Sequence, residues 1–141
     1  MSTPPDDYNA SIIEEFRANR GHVGGPWEDT PLLLLHHTGA KTGKTRVTPL
    51  GSLADGGRYV VVASNGGSPT NPAWYHNLKA HPEVTIEVGP DTIRSVAGEA
   101  TGEERERLFR AIVAGAPQLA EYQSNTARLI PVIVLTPVGN E

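Results

Sequence analysis

The chain has 141 residues, a net charge of −4 at neutral pH, 38% hydrophobic and 20% charged residues, and no cysteine. That length suits one domain with its own core, and the missing thiols exclude disulfide staples, thiol catalysis and cysteine-held metals. Fifteen glycines and twelve prolines predict many turns and short elements, and so a β-rich architecture rather than a helical bundle.

Residues 1–7 are polar and proline-bearing and read as a disordered tail ahead of a single domain, 8–141. Tyr8, Ile12, Ile13 and Phe16 then recur at helical spacing, with Ser11 and Glu14 as a capping box, or Asp6 or Asp7 as the cap of an earlier start, and Gly21 as a stop. The apolar face of this helix has two uses open to it: packing on the core, or contact with a membrane or the substrate mouth. Residues 22–30, with Pro26 and Trp27, read as a loop. Leu32–His37 reads as a buried strand, 38–44 as a turn, and Thr45–Leu53 as a second strand carrying Pro49 and Gly51 at an edge or bulge.

Asp55-Gly56-Gly57 predicts a hairpin turn into Arg58–Ser64, whose run Tyr59–Ala63 suits a strand covered on both faces. Asn71 as N-cap and Pro72 as first helical residue start a short helix to about Ala80, which Pro82 ends. Val84, Ile86 and Val88 alternate as a strand, and a further strand spans about 92–100, with a bulge expected at Val96-Ala97. Thr101 with Glu104 predicts a capping box for a helix to about Ala114, Pro117 opens another helical piece, and Leu129–Thr136 is a last strand with Pro131 at an edge. The expected fold is α+β, mainly β: a six-stranded, mostly antiparallel barrel with flanking helices.

Charge is unevenly spread. Residues 31–82 hold five bases (Lys41, Lys44, Arg46, Arg58, Lys79) and one acid, Asp55, so this segment carries +4 and the remainder −8. Bases gathered among glycines suit an anion site, with a solvated hairpin as the alternative. Gly39-Ala-Lys-Thr-Gly43-Lys44-Thr45 falls one glycine short of a phosphate loop, since position 38 is threonine, and it opens a strand rather than a helix. Nucleotide hydrolysis is therefore not expected, whereas anion binding by the turn's amides and bases is. His36 and His37 are neighbours on a strand and point to opposite faces, while His76 and His81 miss a common helical face, so no metal site is expected. Ser64 lacks the Gly-x-Ser-x-Gly frame of a serine hydrolase. A pI near 5.7 disfavours nucleic acid. No secretory leader opens the sequence, and its longest apolar run is four or five residues, against the roughly 20 that cross a bilayer. A cytoplasmic protein is expected, with membrane association left open through the first helix.

Three motifs in one order carry a resemblance: Thr38-Gly39-Ala-Lys41-Thr42-Gly43-x-x-Arg46-x-x-Pro49-Leu50, then Ala63-Ser64-x-Gly66-Gly67, then Asn71-Pro72-x-Trp74-Tyr75-x-Asn77-Leu78. In these the chain resembles the deazaflavin-dependent nitroreductase and quinone reductase family of actinobacteria. The resemblance runs from about residue 30 to 136. It implies a split β-barrel of the FMN-binding-protein type, coenzyme F(420) with its acidic oligoglutamate tail, and hydride transfer to a quinone or nitro acceptor. It further implies that Ala40, Lys41 and Thr42, with Arg46, Val47, Thr48, Pro49, Leu50 and Gly51, hold the phosphate and tail. Val62, Ala63, Ser64 and Asn65, and Ala73, Trp74, Tyr75, His76 and Asn77, would lie against the deazaflavin and its linker, with Leu119 as a lid residue. Ser64 and Tyr122 are the candidates for polar help to the acceptor. Relatives carry aromatics where this chain has Gly51, Ala116, Leu119 and Asn125, which counts against bulky nitroaromatic substrates. A non-catalytic deazaflavin carrier and an FMN- or haem-binding split barrel are the alternatives. A homodimer is compatible with the sequence.

Overall fold

The computed structural model describes residues 5–24, 31–64 and 70–138, with the side chains of the first helix from Ala10 onward. Most of the expected tail, the loop with Trp27, and Asn65 with Gly66-Gly67 lie outside the described residues. Seven strands form one antiparallel sheet in the order β2-β1-β5-β6-β7-β4-β3. They are β1 (Leu32–Thr38), β2 (Thr45–Gly51), β3 (Leu53–Asp55), β4 (Arg58–Val62), β5 (Glu83–Val88), β6 (Asp91–Glu99) and β7 (Val132–Pro137). Four helices accompany them: α1 (Pro5–Ala18), α2 (Ala73–Ala80), α3 (Gly102–Gly115) and α4 (Gln118–Ser124).

One strand more than expected arises because Thr45–Leu53 breaks at Ser52. Up to Gly51 the chain pairs with β1 (Gly51 opposite Leu32), and from Leu53 it pairs with β4 (Leu53 opposite Val60). β2 and β3 are the two edges of the sheet, yet one residue joins them. The sheet must therefore curl until its edges meet, which is how this barrel closes. Gly56 and Gly57, at φ +56° and +88°, make the expected two-residue turn between β3 and β4.

Strand alternation then divides the apolar residues into three sets. Leu33 and Leu35 of β1 point into the barrel with Val61, Val84, Ile86, Ile133 and Leu135, and α2 plugs that interior with Trp74 and Leu78. Leu32 and Leu34 point outward and are covered by Ile12 and Phe16 of α1. Val60, Val132 and Val134 point out on the far side, under Leu108 of α3. β4 is thus covered on both faces, as its unbroken valine run predicts. Of the two uses for α1's apolar face, packing on the core is the one observed. Arg17 reinforces it: Nε and Nη2 donate to Glu87 at 3.1 and 2.6 Å.

Several local expectations give way. α1 starts at Pro5, so Ser11 lies within the helix and caps nothing. Asn71 is not an N-cap; Pro72 occupies that position, and the Asn71 side chain is used elsewhere. Thr101 is the N-cap of α3 but makes no side-chain cap bond, and Glu104 turns to Arg58 at 3.2 Å instead. The register of β6 runs unbroken against β5 and β7, so there is no bulge at Val96-Ala97. Polar Ser95 takes the buried position instead, and Val96 faces out. β7 begins after Pro131 and is a central strand, so the proline precedes the strand rather than marking an edge.

Candidate functional site

The turn after β1 closes on itself. Gly39 N–H donates to the Lys44 carbonyl, Gly43 N–H to the Gly39 carbonyl, and Lys44 N–H to Thr42 Oγ1. Gly39 is confined there, since a Cβ would sit 2.5 Å from Thr42 Oγ1. Those bonds leave the amides of Lys41 and Thr42 with no partner among the described residues. Lys41, Lys44 and Arg46 are exposed, and none meets a carboxylate among the described residues. The other bases of the segment are spoken for: Arg58 by Asp55 and Glu104, Lys79 by Glu99. An anion arriving here meets three uncompensated cations and two open amides.

β2 pairs in register with β1, so its side chains alternate in direction. Arg46, Thr48 and Leu50 lie opposite His37, Leu35 and Leu33 on the inner side. Val47, Pro49 and Gly51 lie opposite His36, Leu34 and Leu32 on the outer side. The residues expected to hold a tail thus fall on two faces, and the side chains of one face cannot reach a ligand on the other.

A chain of hydrogen bonds, buried at its centre, ties this turn to α2. Ala40 N–H donates to Asn77 Oδ1 at 2.9 Å. A backbone amide can only donate, which fixes the Asn77 amide with Nδ2 toward His37 Nδ1, 2.9 Å away. His37 Nδ1 must then accept, so its proton sits on Nε2 and is donated to Thr48 Oγ1 at 2.8 Å. Burial first, then the charge of Arg46 and His36, holds the His37 pKa down to about 4, so the ring is neutral at physiological pH. His36, one residue away on the outer face, meets Glu87 at 2.6 Å instead. Sequence reading gave His37 no role. The signal was present in Leu33, Leu35 and His37 sharing one buried face, where a polar group needs partners.

The second half of the site is the end of β4 with α2. Val62 is half-buried, Ala63 is buried, and the half-buried Ser64 offers a hydroxyl with no partner among the described residues. On α2, Ala73 and His76 are exposed, while Trp74 is buried in the barrel core. Tyr75 donates its hydroxyl to Glu99 Oε1 at 2.8 Å, and burial together with that carboxylate pushes its pKa up to about 12. Asn77 is consumed by the buried chain. Of the helix residues expected to line a ring, Trp74 and Asn77 thus act from behind the surface, and Ala73 and His76 present themselves on it.

Leu119 and Tyr122 of α4 are half-buried, and the Tyr122 hydroxyl has no partner among the described residues. No hydrogen bond joins Tyr122 to Ser64 among the described residues. They are linked through Gln123 and Arg128, neither of which sequence reading gave a role. The Arg128 guanidinium bonds to the carbonyls of Ala63 and Ser64 and to the Asn71 side chain. Among the described residues no group of three or more His, Asp or Glu could hold a metal. No helix there is long and apolar enough to cross a membrane.

Comparison with known proteins gives the family. Residues 11–137 match the family model described as F(420)H(2)-dependent quinone reductase. An F(420)H(2)-dependent quinone reductase of Mycobacterium tuberculosis, Rv1261c, is 43% identical over 125 residues, spanning 86% of this chain and 84% of that protein. The solved F(420)-H2 dependent reductase FDR-A is 44% identical with a TM-score of 0.70, over 74% of this chain and 93% of that one. A chain solved as a domain-swapped dimer is 40% identical with a TM-score of 0.72, over 94% and 99%. A haem storage protein of Vibrio cholerae, HutZ, shares only the fold, at 16% identity and a TM-score of 0.53 over 94% and 92%. With the family model covering most of its length and relatives above 40% identity, this chain belongs to the F(420)H(2)-dependent quinone reductase family.

Proposed function

We propose that Lys41, Lys44 and Arg46, with the amides of Lys41 and Thr42, take the phosphate and carboxylates of the coenzyme F(420) tail. The ring lies against Val62–Ser64 and the exposed face of α2. Three cations without carboxylate partners among the described residues fit a polyanion, and an apolar strand end beside a helix fits a flat ring. The observation that carries this reading is the hydrogen-bonded chain Ala40–Asn77–His37–Thr48, buried at its centre, which holds the basic turn and the wall in one rigid relation.

When bound, the reduced deazaflavin supplies a hydride from its C5. The chain's own part is to orient ring and acceptor, keep water out, and offer hydrogen bonds where negative charge grows on the acceptor oxygen. For that task Ser64 and Tyr122 have hydroxyls with no partner among the described residues. Tyr75 does not, because Glu99 occupies it. With Gly51, Ala116 and Leu119 in the place of aromatics, the acceptor side favours a quinone over a bulky nitroaromatic, although a small nitro compound is also accommodated by the same chemistry. A homodimer is part of the proposal, and light scattering of the purified chain checks it.

The test is titration of the protein with F(420), FMN and haem, followed by a panel of quinones and nitro compounds with the reduced deazaflavin. Tight F(420) binding with quinone turnover is the expected result. Preferential FMN or haem binding would refute the cofactor assignment. Binding of F(420) without turnover of any acceptor would point to a carrier.

A further inference from the structure

We propose that Arg128 is a positioning residue for hydride transfer, holding the Ser64 side of the site in register with the Tyr122 side. The inference rests on the ring-wall reading above.

Among the described residues the guanidinium meets three oxygens, from the segment after β4 and the segment before α2. Nη1 donates to the Ala63 carbonyl at 3.1 Å and to Asn71 Oδ1 at 2.6 Å, and Nη2 donates to the Ser64 carbonyl at 2.6 Å. Ala63 and Ser64 end the strand half of the wall, and Asn71 immediately precedes the helix half. One planar group thus joins the two. Its main chain is bound the other way: Gln123 Nε2 donates to the Arg128 carbonyl at 2.8 Å. Gln123 follows Tyr122 on α4, and its own Oε1 accepts from Ile130 N–H and from Arg105 Nη2, both at 3.0 Å. Arg105 is 4% exposed and also donates to the Ile130 carbonyl at 2.7 Å, so the α4 end of the chain of bonds is anchored in the α3 interior. Among the described residues no hydrogen bond joins Ser64 to Tyr122. Their separation is set through Arg128, whose side chain reaches one and whose backbone is tied beside the other.

A fork that fixes two carbonyls and an amide at once cannot be replaced by a point charge. Lysine keeps the charge but presents a compact ammonium on a flexible stem. Misplacement of a reacting group by about 1 Å costs on the order of 100-fold in rate, while the tail's cations, which Arg128 does not touch, retain most of the cofactor affinity.

The experiment compares wild type, R128K and R128A. The readouts are F(420) affinity by fluorescence titration, steady-state reduction of menadione by reduced F(420), and amide hydrogen exchange. Turnover should fall roughly 10- to 100-fold in both variants, with the cofactor dissociation constant changed by less than about threefold and partial rescue of R128A by added methylguanidinium. Exchange should rise together at Ser64 and across α4. R128K turning over like wild type would overturn the proposal, as would equal losses of affinity and rate without rescue. Should R128A not fold, R128K alone decides by the same readings. Wild-type protein that binds F(420) but reduces no quinone would refute the functional reading and this role with it, whereas normal wild-type turnover with an unaffected R128K refutes the role alone.

Discussion

Replacing His37 by glutamine should remove a pH dependence of stability that the buried ring confers. The ring is 4% exposed and accepts at Nδ1 from Asn77, so a proton there would face a donor. In the unfolded chain it titrates near its ordinary 6.5, and in the folded one near 4. Between those values the unfolded state binds a proton that the folded state does not, so stability is complete above about pH 6.5 and is lost as pH falls toward 4. At 1.36 kcal/mol per unit, the depression corresponds to about 2 to 3 kcal/mol lost between pH 7 and pH 4.5. Urea unfolding of wild type and His37→Gln across that range measures it. The stability advantage of wild type should shrink by this amount as pH falls, because the glutamine variant cannot titrate there. Glu87 and Asp55, both held below the usual carboxylate range by arginine partners, lose stability in acid in both proteins and cancel in the difference. A wild-type advantage that stays constant with pH would refute the buried neutral imidazole.

Lys41→Ala or Arg46→Ala should weaken F(420) binding by about 1.5 to 3 kcal/mol where the contact is well paired, and should flatten its salt dependence; fluorescence titration at two ionic strengths reads both. Ser64→Ala should lower turnover more than cofactor affinity, and the reverse result in steady-state kinetics would make Ser64 a cofactor residue. Thr101→Ala should cost less than about 0.5 kcal/mol in urea unfolding, below the ~1 kcal/mol of a working N-cap, because its hydroxyl makes no cap bond.

Much of the barrel is legible because alternation and turn chemistry are local. Leu32–Leu35 with Tyr59–Ala63 mark the doubly covered strands, and Gly56-Gly57 mark a hairpin. The break at Ser52 is not local, since whether Leu53 continues along β1 or transfers to β4 depends on residues on the far side of the sheet. The same reason defeats the cap at Thr101, where Glu104 finds Arg58 across the fold. Val96-Ala97 reads as a bulge only if both apolar neighbours are assumed to be buried, and here Val96 faces out and Ser95 is buried instead. In the site, the basic turn and the β4–α2 wall follow from composition and motif. His37 and Arg128, which hold those parts together, act through partners 40 and 64 residues away in sequence and have no periodic signature.

His37 also reports on the proposed anion site from beneath. Arg46 lies opposite it on the same inner face, and after burial its charge is the largest influence holding the imidazole neutral. Neutralising Arg46 must relieve part of that effect, whether by mutation or by an anionic tail. Two titrations of the His37 ring by NMR follow, one without and one with F(420). The His37 pKa should rise when the cofactor binds, yet stay below 6.5, because desolvation is unchanged. In Arg46→Ala it should start higher and respond little to the cofactor. By linkage, wild-type affinity should then strengthen modestly as pH falls toward the His37 pKa, with no such trend in the variant. An F(420)-bound wild type whose His37 titrates as in the free protein would mean that the tail does not meet Arg46, and the basic turn would need another ligand.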